Sequence, residues 1–150
     1  MHRSDCPSRR VFLRVFAASG VAAAVDVGCG PAGVSPLSFG TVSAGNVSAL
    51  PVGSLHAVPG QPVAIGRDTG GVYAMTLTCT HGGCDMGSQG SVSSAGLFCG
   101  CHGSQFDGNG NVTRGPANAP LAHFAVSIDA AGEVTVDGAQ EVAASTRAPA

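Results

Sequence analysis

The sequence predicts an all-β fold in one small domain, and three observations lead there. Its apolar runs are short and separated by turn residues. Its 23 glycines, absence of tryptophan and 11% charged residues suit short strands and tight turns better than long amphipathic helices. Its 150 residues suffice for one domain with a targeting segment or tail, but not for two separate cores. Charge narrows the function. There is no lysine, and from Gly30 onward three arginines face seven acidic residues, a balance of −4, which excludes a basic nucleic-acid-binding surface.

Residues 1–29 read as an address. SRRVFLR, Ser8 to Arg14, precedes an apolar stretch, Val15 to Val25, and resembles the bacterial twin-arginine export pattern, with Arg14 in the place of its lysine. What the resemblance implies is export in the folded state, to the periplasm or the outer face of a bacterial membrane. Those 11 apolar residues, before Asp26, fall short of the about 20 that a membrane span needs. Val25 to Cys29 has the small residue before cysteine of a lipoprotein cleavage site, with Asp26 where an apolar residue is usual. Lipidation at Cys29, giving a membrane tether, and cleavage after Ala22 to Ala24 both remain open. Cys6 would leave with the signal. Residues 30–46, rich in Gly, Ser and Pro, read as a flexible linker.

The strand candidates follow within a domain spanning residues 47–138: Val52 to Val58, Pro62 to Asp68, Gly71 to Thr78, Gly96 to Cys99, Phe124 to Asp129 and Glu133 to Gly138. RDTGGV, FDGNGNV and DAAGEV read as hairpin connections, because Gly and Asn accept positive φ. In LAHFAVSI the alternation of Phe124, Val126 and Ile128 puts His123 on the opposite, wetter face, and His56 is expected at the surface as well. Residues 139–150 are expected to fray.

Two glycine-rich stretches carry the chemistry: CTHGGC, Cys79 to Cys84, and CGCHGS, Cys99 to Ser104. Four of the six cysteines lie here, so a metal site, a disulfide or both are implied. Cys79, His81, Cys99 and His102 could hold one zinc tetrahedrally, or a 2Fe-2S cluster with two thiolates on one iron and two imidazoles on the other. The short, sharply turning pairs favour the cluster, and zinc leaves Cys84 and Cys101 unexplained.

The two stretches are similar to the boxes of the Rieske iron-sulfur proteins, C-T-H-x-G-C and C-x-C-H-G-S. The resemblance implies a small antiparallel β-sandwich or barrel with a two-loop cluster-binding subdomain. It also implies Cys79 and Cys99 on the inner iron, His81 and His102 on the outer, and a Cys84–Cys101 disulfide joining the loops, a bond that persists in an exported protein. Ser104 matches the family serine that donates to a bridging sulfide, and Gly115 and Pro116 match part of the loop that covers the cluster. Two ferric irons, two sulfides and two thiolates make the oxidised cluster neutral. Its potential is then roughly −150 to +300 mV, against about −400 mV for plant-type all-cysteine clusters. Neutral imidazoles gain proton affinity on reduction, which couples electron and proton transfer.

Three departures from the family stand out. Gly82 replaces the leucine with which quinol-oxidising members dock, leaving bare backbone beside Gly83. Phe106 replaces a tyrosine whose hydroxyl donates to a ligand cysteine, which predicts a somewhat lower potential. Gly100 takes the place of a frequent proline. With no Ser-His-Asp set and no phosphate loop, the expected function is one-electron transfer to or from a redox partner protein such as a c-type cytochrome. The alternative is a redox-subunit role in a membrane quinol:cytochrome c oxidoreductase or an arsenite-oxidase-like molybdenum enzyme.

Overall fold

The computed structural model describes residues 39–150; the signal segment, Cys6, Cys29 and residues 30–38 lie outside that range. The described residues form ten strands, one 3-10 turn (Val47–Ala49) and one short α-helix: β1 (Thr41–Asn46), β2 (Ser54–Ala57), β3 (Val63–Asp68), β4 (Gly71–Thr76), α1 (Met86–Gln89), β5 (Gly90–Ser93), β6 (Gly96–Cys99), β7 (Gln105–Phe106), β8 (Val112–Arg114), β9 (His123–Ile128) and β10 (Glu133–Val142). A six-stranded sheet runs β1-β10-β9-β4-β3-β2 and a four-stranded one β5-β6-β7-β8. All pairings are antiparallel, as expected where short turns join successive strands.

Strand β4 is buried at every position, and β3 at its first four. A half-solvated strand would alternate; these do not, because each face of the larger sheet has its own core. Val63, Ile65, Val72, Ala74, Phe124, Val134 and Val136 fill one. Ala64, Tyr73, Met75 and Leu77 point the other way, into a second core shared with Leu97 and Phe106 of the smaller sheet and with Cys79 and Cys99. Gly66 stands opposite Tyr73 in register, and a Cβ there would enter the tyrosine ring. The second core seats the smaller sheet against the larger one, with the two free cysteines among its members.

Three expectations are corrected. The linker does not reach residue 46, because Thr41–Asn46 is strand β1, paired with β10. The tail does not fray from residue 139. Strand β10 runs to Val142, and Ala148 exchanges two backbone hydrogen bonds with Val72, each 2.8 Å. Arg147 pins this segment: its Nε donates to Asp68 Oδ2 at 2.7 Å, its Nη2 to Asn109 Oδ1 at 2.8 Å, and its guanidinium lies 4.2 Å over the Tyr73 ring. Third, His123 is not on a wet face but 2% exposed. It pairs with Met75 across β4 and stacks on Tyr73 with ring centroids 6.2 Å apart. The face of β9 that carries His123 is covered at that end and open at the other, where Ser127 is exposed. His56 is exposed as expected.

His123 Nδ1 lies 3.2 Å from Leu121 O, which fixes the proton on that nitrogen, while Nε2 is buried with no partner among the described residues. Burial pushes the His123 pKa down against the opposing pull of the Leu121 carbonyl. The unfolded chain therefore binds a proton near pH 6.5 that the folded chain refuses. Stability contributed by His123 is full above that pH. It declines as pH falls toward the lowered folded value, by at most about 1.4 kcal/mol per pH unit. Urea midpoints at about pH 7.5 and 5.5 are expected to drop more for the native chain than for His123→Leu; equal drops would clear His123 of the effect.

Candidate metal centre

Two loops of the same build hold the site. In the first, Cys79 N donates to Cys84 O at 2.8 Å and Gly83 N returns to Cys79 O at 2.8 Å. In the second, Cys99 N donates to Ser104 O at 2.9 Å and Gly103 N to Cys99 O at 3.0 Å. Each loop is a tight turn closed twice, with a glycine in the left-handed region at its fifth residue: Gly83 at φ 74° and Gly103 at φ 81°. A Cβ at either would touch nothing, so it is the backbone conformation that calls for glycine. Gly82 is under neither constraint: its φ is not positive and a Cβ there meets open space, so a larger residue fits at this tip.

The turns sort the donors by depth. Cys79 and Cys99, at the bases, are 2% and 1% exposed; His81 and His102, at the tips, are exposed. The two imidazoles meet edge to face, ring centroids 4.8 Å apart at 80°. Below them the two thiols lie near enough to influence each other's protonation. Burial pushes the Cys99 thiol up and the neighbouring Cys79 adds to this, while backbone N–H groups of Cys101 and His102 aimed at the sulfur pull against it. Two thiolates side by side in such a place need a cation between them and solvent. The donor set, two soft sulfurs inside and two imidazoles outside, fits a metal group that has a buried end and an exposed end.

Cys84 and Cys101 form a disulfide, Cα atoms 6.7 Å apart, tying the sixth residue of one loop to the third of the other. The sulfurs of Cys84, Cys99 and Cys101 lie within 4.8 Å of one another. That trio is no ligand set, because two of its members are oxidised and have no thiolate to offer.

A cover closes one side. Ser104 is fully buried, and its hydroxyl oxygen accepts from Ala117 N at 3.0 Å. Thr80 Oγ1 donates to Ala119 O at 2.7 Å, so the first loop is fastened to the segment that follows Gly115 and Pro116, both exposed. Phe106 is 2% exposed in the same core as both free cysteines. Sequence reasoning missed Thr80 and Gln89. The signal for Thr80 was its place between Cys79 and His81. Gln89 ends α1, a single turn capped by Asp85, whose side chain accepts from Gly87 N at 2.9 Å. Its backbone carbonyl takes the Gly100 N–H at 2.7 Å, and its Oε1 lies 3.3 Å from Cys101 Sγ. Proline at position 100 would lose that N–H, and any Cβ there would collide with the Gln89 carbonyl, which accounts for glycine.

The family model of the Rieske [2Fe-2S] domain matches residues 40–125. Among curated relatives, the chain is 46% identical over 61 residues to the cytochrome b6-f complex iron-sulfur subunit of Cyanothece sp., covering 39% of this chain and 33% of that protein. It is 32% identical over 112 residues to the subunit of the same description from a Synechococcus sp., covering 71% and 62%. The chain thus spans less than two thirds of the length of these relatives. Among solved structures, a chain from the complex of reduced oxygenase and oxidised ferredoxin in carbazole 1,9a-dioxygenase superposes with a TM-score of 0.50 at 27% identity, covering 69% of this chain and 97% of that one. With the family model spanning more than half of its length and a two-sheet β fold that presents two cysteines beneath two histidines, the chain belongs to the Rieske 2Fe-2S family.

Proposed function

We propose that this chain transfers single electrons between protein partners on the outer side of a bacterial membrane, with Cys79 and Cys99 ligating the buried iron and His81 and His102 the exposed one. The observation that carries this reading is the gradient from sulfurs at most 2% exposed to imidazoles at the surface. When bound, a 2Fe-2S cluster held by two thiolates and two imidazoles supplies a one-electron couple well above that of plant-type all-cysteine clusters. The chain's own residues do the rest. The second core keeps water from the thiolates, the N–H groups of Cys101 and His102 point at the Cys99 sulfur, and the exposed imidazoles form the surface through which a partner approaches.

Colour and magnetic resonance test the reading. A red-brown protein whose reduced form gives the low-average-g signal of mixed Cys/His ligation is the expected result; a colourless protein with stoichiometric zinc would overturn it.

Ser104 has a part in the same scheme. Its oxygen already accepts from Ala117, so its proton is free for an acceptor inside the site. Ser104→Ala is expected to lower the midpoint potential by roughly 60 mV, the equivalent of one hydrogen bond of about 1.4 kcal/mol that strengthens on reduction. Voltammetry checks this, and an unchanged potential would make Ser104 a purely structural tie to the cover.

A second reading is supported by the relatives, which are iron-sulfur subunits of cytochrome b6-f complexes: this chain serves as the redox subunit of a larger oxidoreductase. Gly82 counts against docking of the quinol-oxidising type, since the tip offers no side chain there. Purification from the native membrane separates the two readings, because a stoichiometric partner refutes the free carrier. Folded export by the twin-arginine segment and a tether at Cys29 belong to both, and the mass of the mature N-terminus tests them.

A further inference from the structure

We propose that in the cluster-free chain Cys99 exchanges into the disulfide, forming Cys84–Cys99 and releasing Cys101, so that loss of the cluster locks the site against refilling. The inference rests on the reading of Cys99 as a ligand. Its geometric basis is the sulfur trio: the free Cys99 Sγ lies within 4.8 Å of both sulfurs of the Cys84–Cys101 disulfide. Cys79, the other free thiol among the described residues, is not one of the three.

The step is an isomerisation and needs no oxidant. Cys99 gives up its proton, and its sulfur attacks Cys84 Sγ. The Cys84–Cys101 bond breaks as the Cys84–Cys99 bond forms, and Cys101 leaves as a thiolate that takes up a proton. Among the described residues, one disulfide and two free thiols are present before and after. Two features direct the attack to Cys84. A Cys99–Cys101 bond would close a ring over the single residue Gly100, whose N–H is tied to Gln89 O at 2.7 Å. The released Cys101 thiol, in contrast, finds an acceptor in place, Gln89 Oε1 at 3.3 Å. A bound cluster holds the Cys99 sulfur and blocks the reaction. Once it is gone, exchange removes one of the two thiolate ligands and moves the clamp from the third residue of the second loop to its base.

The test uses the full chain, holo and after iron is stripped with a chelator under argon. Free thiols are alkylated in acidic denaturant, which opens the core and halts exchange, and are then located by fragmentation mass spectrometry. Of the four cysteines in the described residues, the native pairing leaves Cys79 and Cys99 open to the label. Exchange moves the label from Cys99 to Cys101 while Cys79 stays labelled, and iron and sulfide rebuild the spectrum only after a dithiol reductant is added. Label that stays on Cys99 however long the stripped chain is held would overturn the proposal. So would label spread over all four cysteines including Cys79, which marks scrambling in an unfolded chain. The label reads sulfur geometry alone, whereas the spectrum of the holo protein reads the cluster, so failure of one is distinguishable from failure of the other.

Discussion

Cys79→Ser is expected to give a folded, colourless protein with at least about tenfold less iron than the native chain, and Cys99→Ser the same. A serine hydroxyl at either position is a hard donor that holds its proton, where iron–sulfur chemistry calls for a soft thiolate. The fold has no corresponding stake in the thiols. Both cysteines are small members of a core that also contains Tyr73, Met75, Leu77, Leu97 and Phe106. Replacing one buried sulfur by an oxygen therefore costs stability on the order of 1 kcal/mol, since polar neighbours remain beside it. His81→Ala should bleach the protein equally at still smaller cost to folding, because its side chain is at the surface. Visible absorbance and iron content read the first effect, far-ultraviolet circular dichroism the second. A serine variant that keeps full iron and colour would remove that cysteine from the ligand set. A variant that loses the β-sheet signal along with the colour would make the residue a folding element first.

What could be read without the structure was what is local. Each candidate ligand pair falls within four residues, and a motif on that scale shows its chemistry directly. The hairpins before Gly71, Val112 and Glu133 were legible for the same reason, since their turn residues sit between the strands they join. Most of the misses are non-local. Arg147 meets Asp68 from 79 residues away and Asn109 from 38, and nothing in a tail rich in Ala announces such partners. His123 was misplaced because period-two alternation tells a strand's two faces apart but not which end of a face Met75 and Tyr73 cover. Helix α1 has four residues, too few for any helical periodicity, and only its Asp85 cap could have marked it. Gly100 read as a family proline gone missing. Its reason lies in the carbonyl of Gln89, a residue that no motif includes.

Removing the disulfide with the double substitution Cys84→Ala/Cys101→Ala is expected to lower unfolding stability by about 3 kcal/mol. The two cysteines are 17 residues apart, and a loop of that length costs the unfolded chain about that much freedom when closed. For a domain of this size the thermal midpoint falls by roughly 10–20 °C. Changing both residues leaves no stray thiol beside Cys99, so the measurement reads the clamp alone. The larger effect is expected at the metal site. The disulfide joins one loop directly to the other, whereas Thr80 to Ala119 and Ser104 to Ala117 fasten each loop to the cover and Gly100 is tied to Gln89. Without the disulfide, the loops can part locally before the sheets unfold. If the whole 3 kcal/mol is lost from that local opening, iron release into a chelator quickens by up to about a hundredfold, and the protein bleaches at temperatures where its circular dichroism is unchanged. Bleaching and unfolding that remain coincident, with both shifted down together, would show that the cross-link acts through the stability of the whole domain and that the two loops are held in place by their cover.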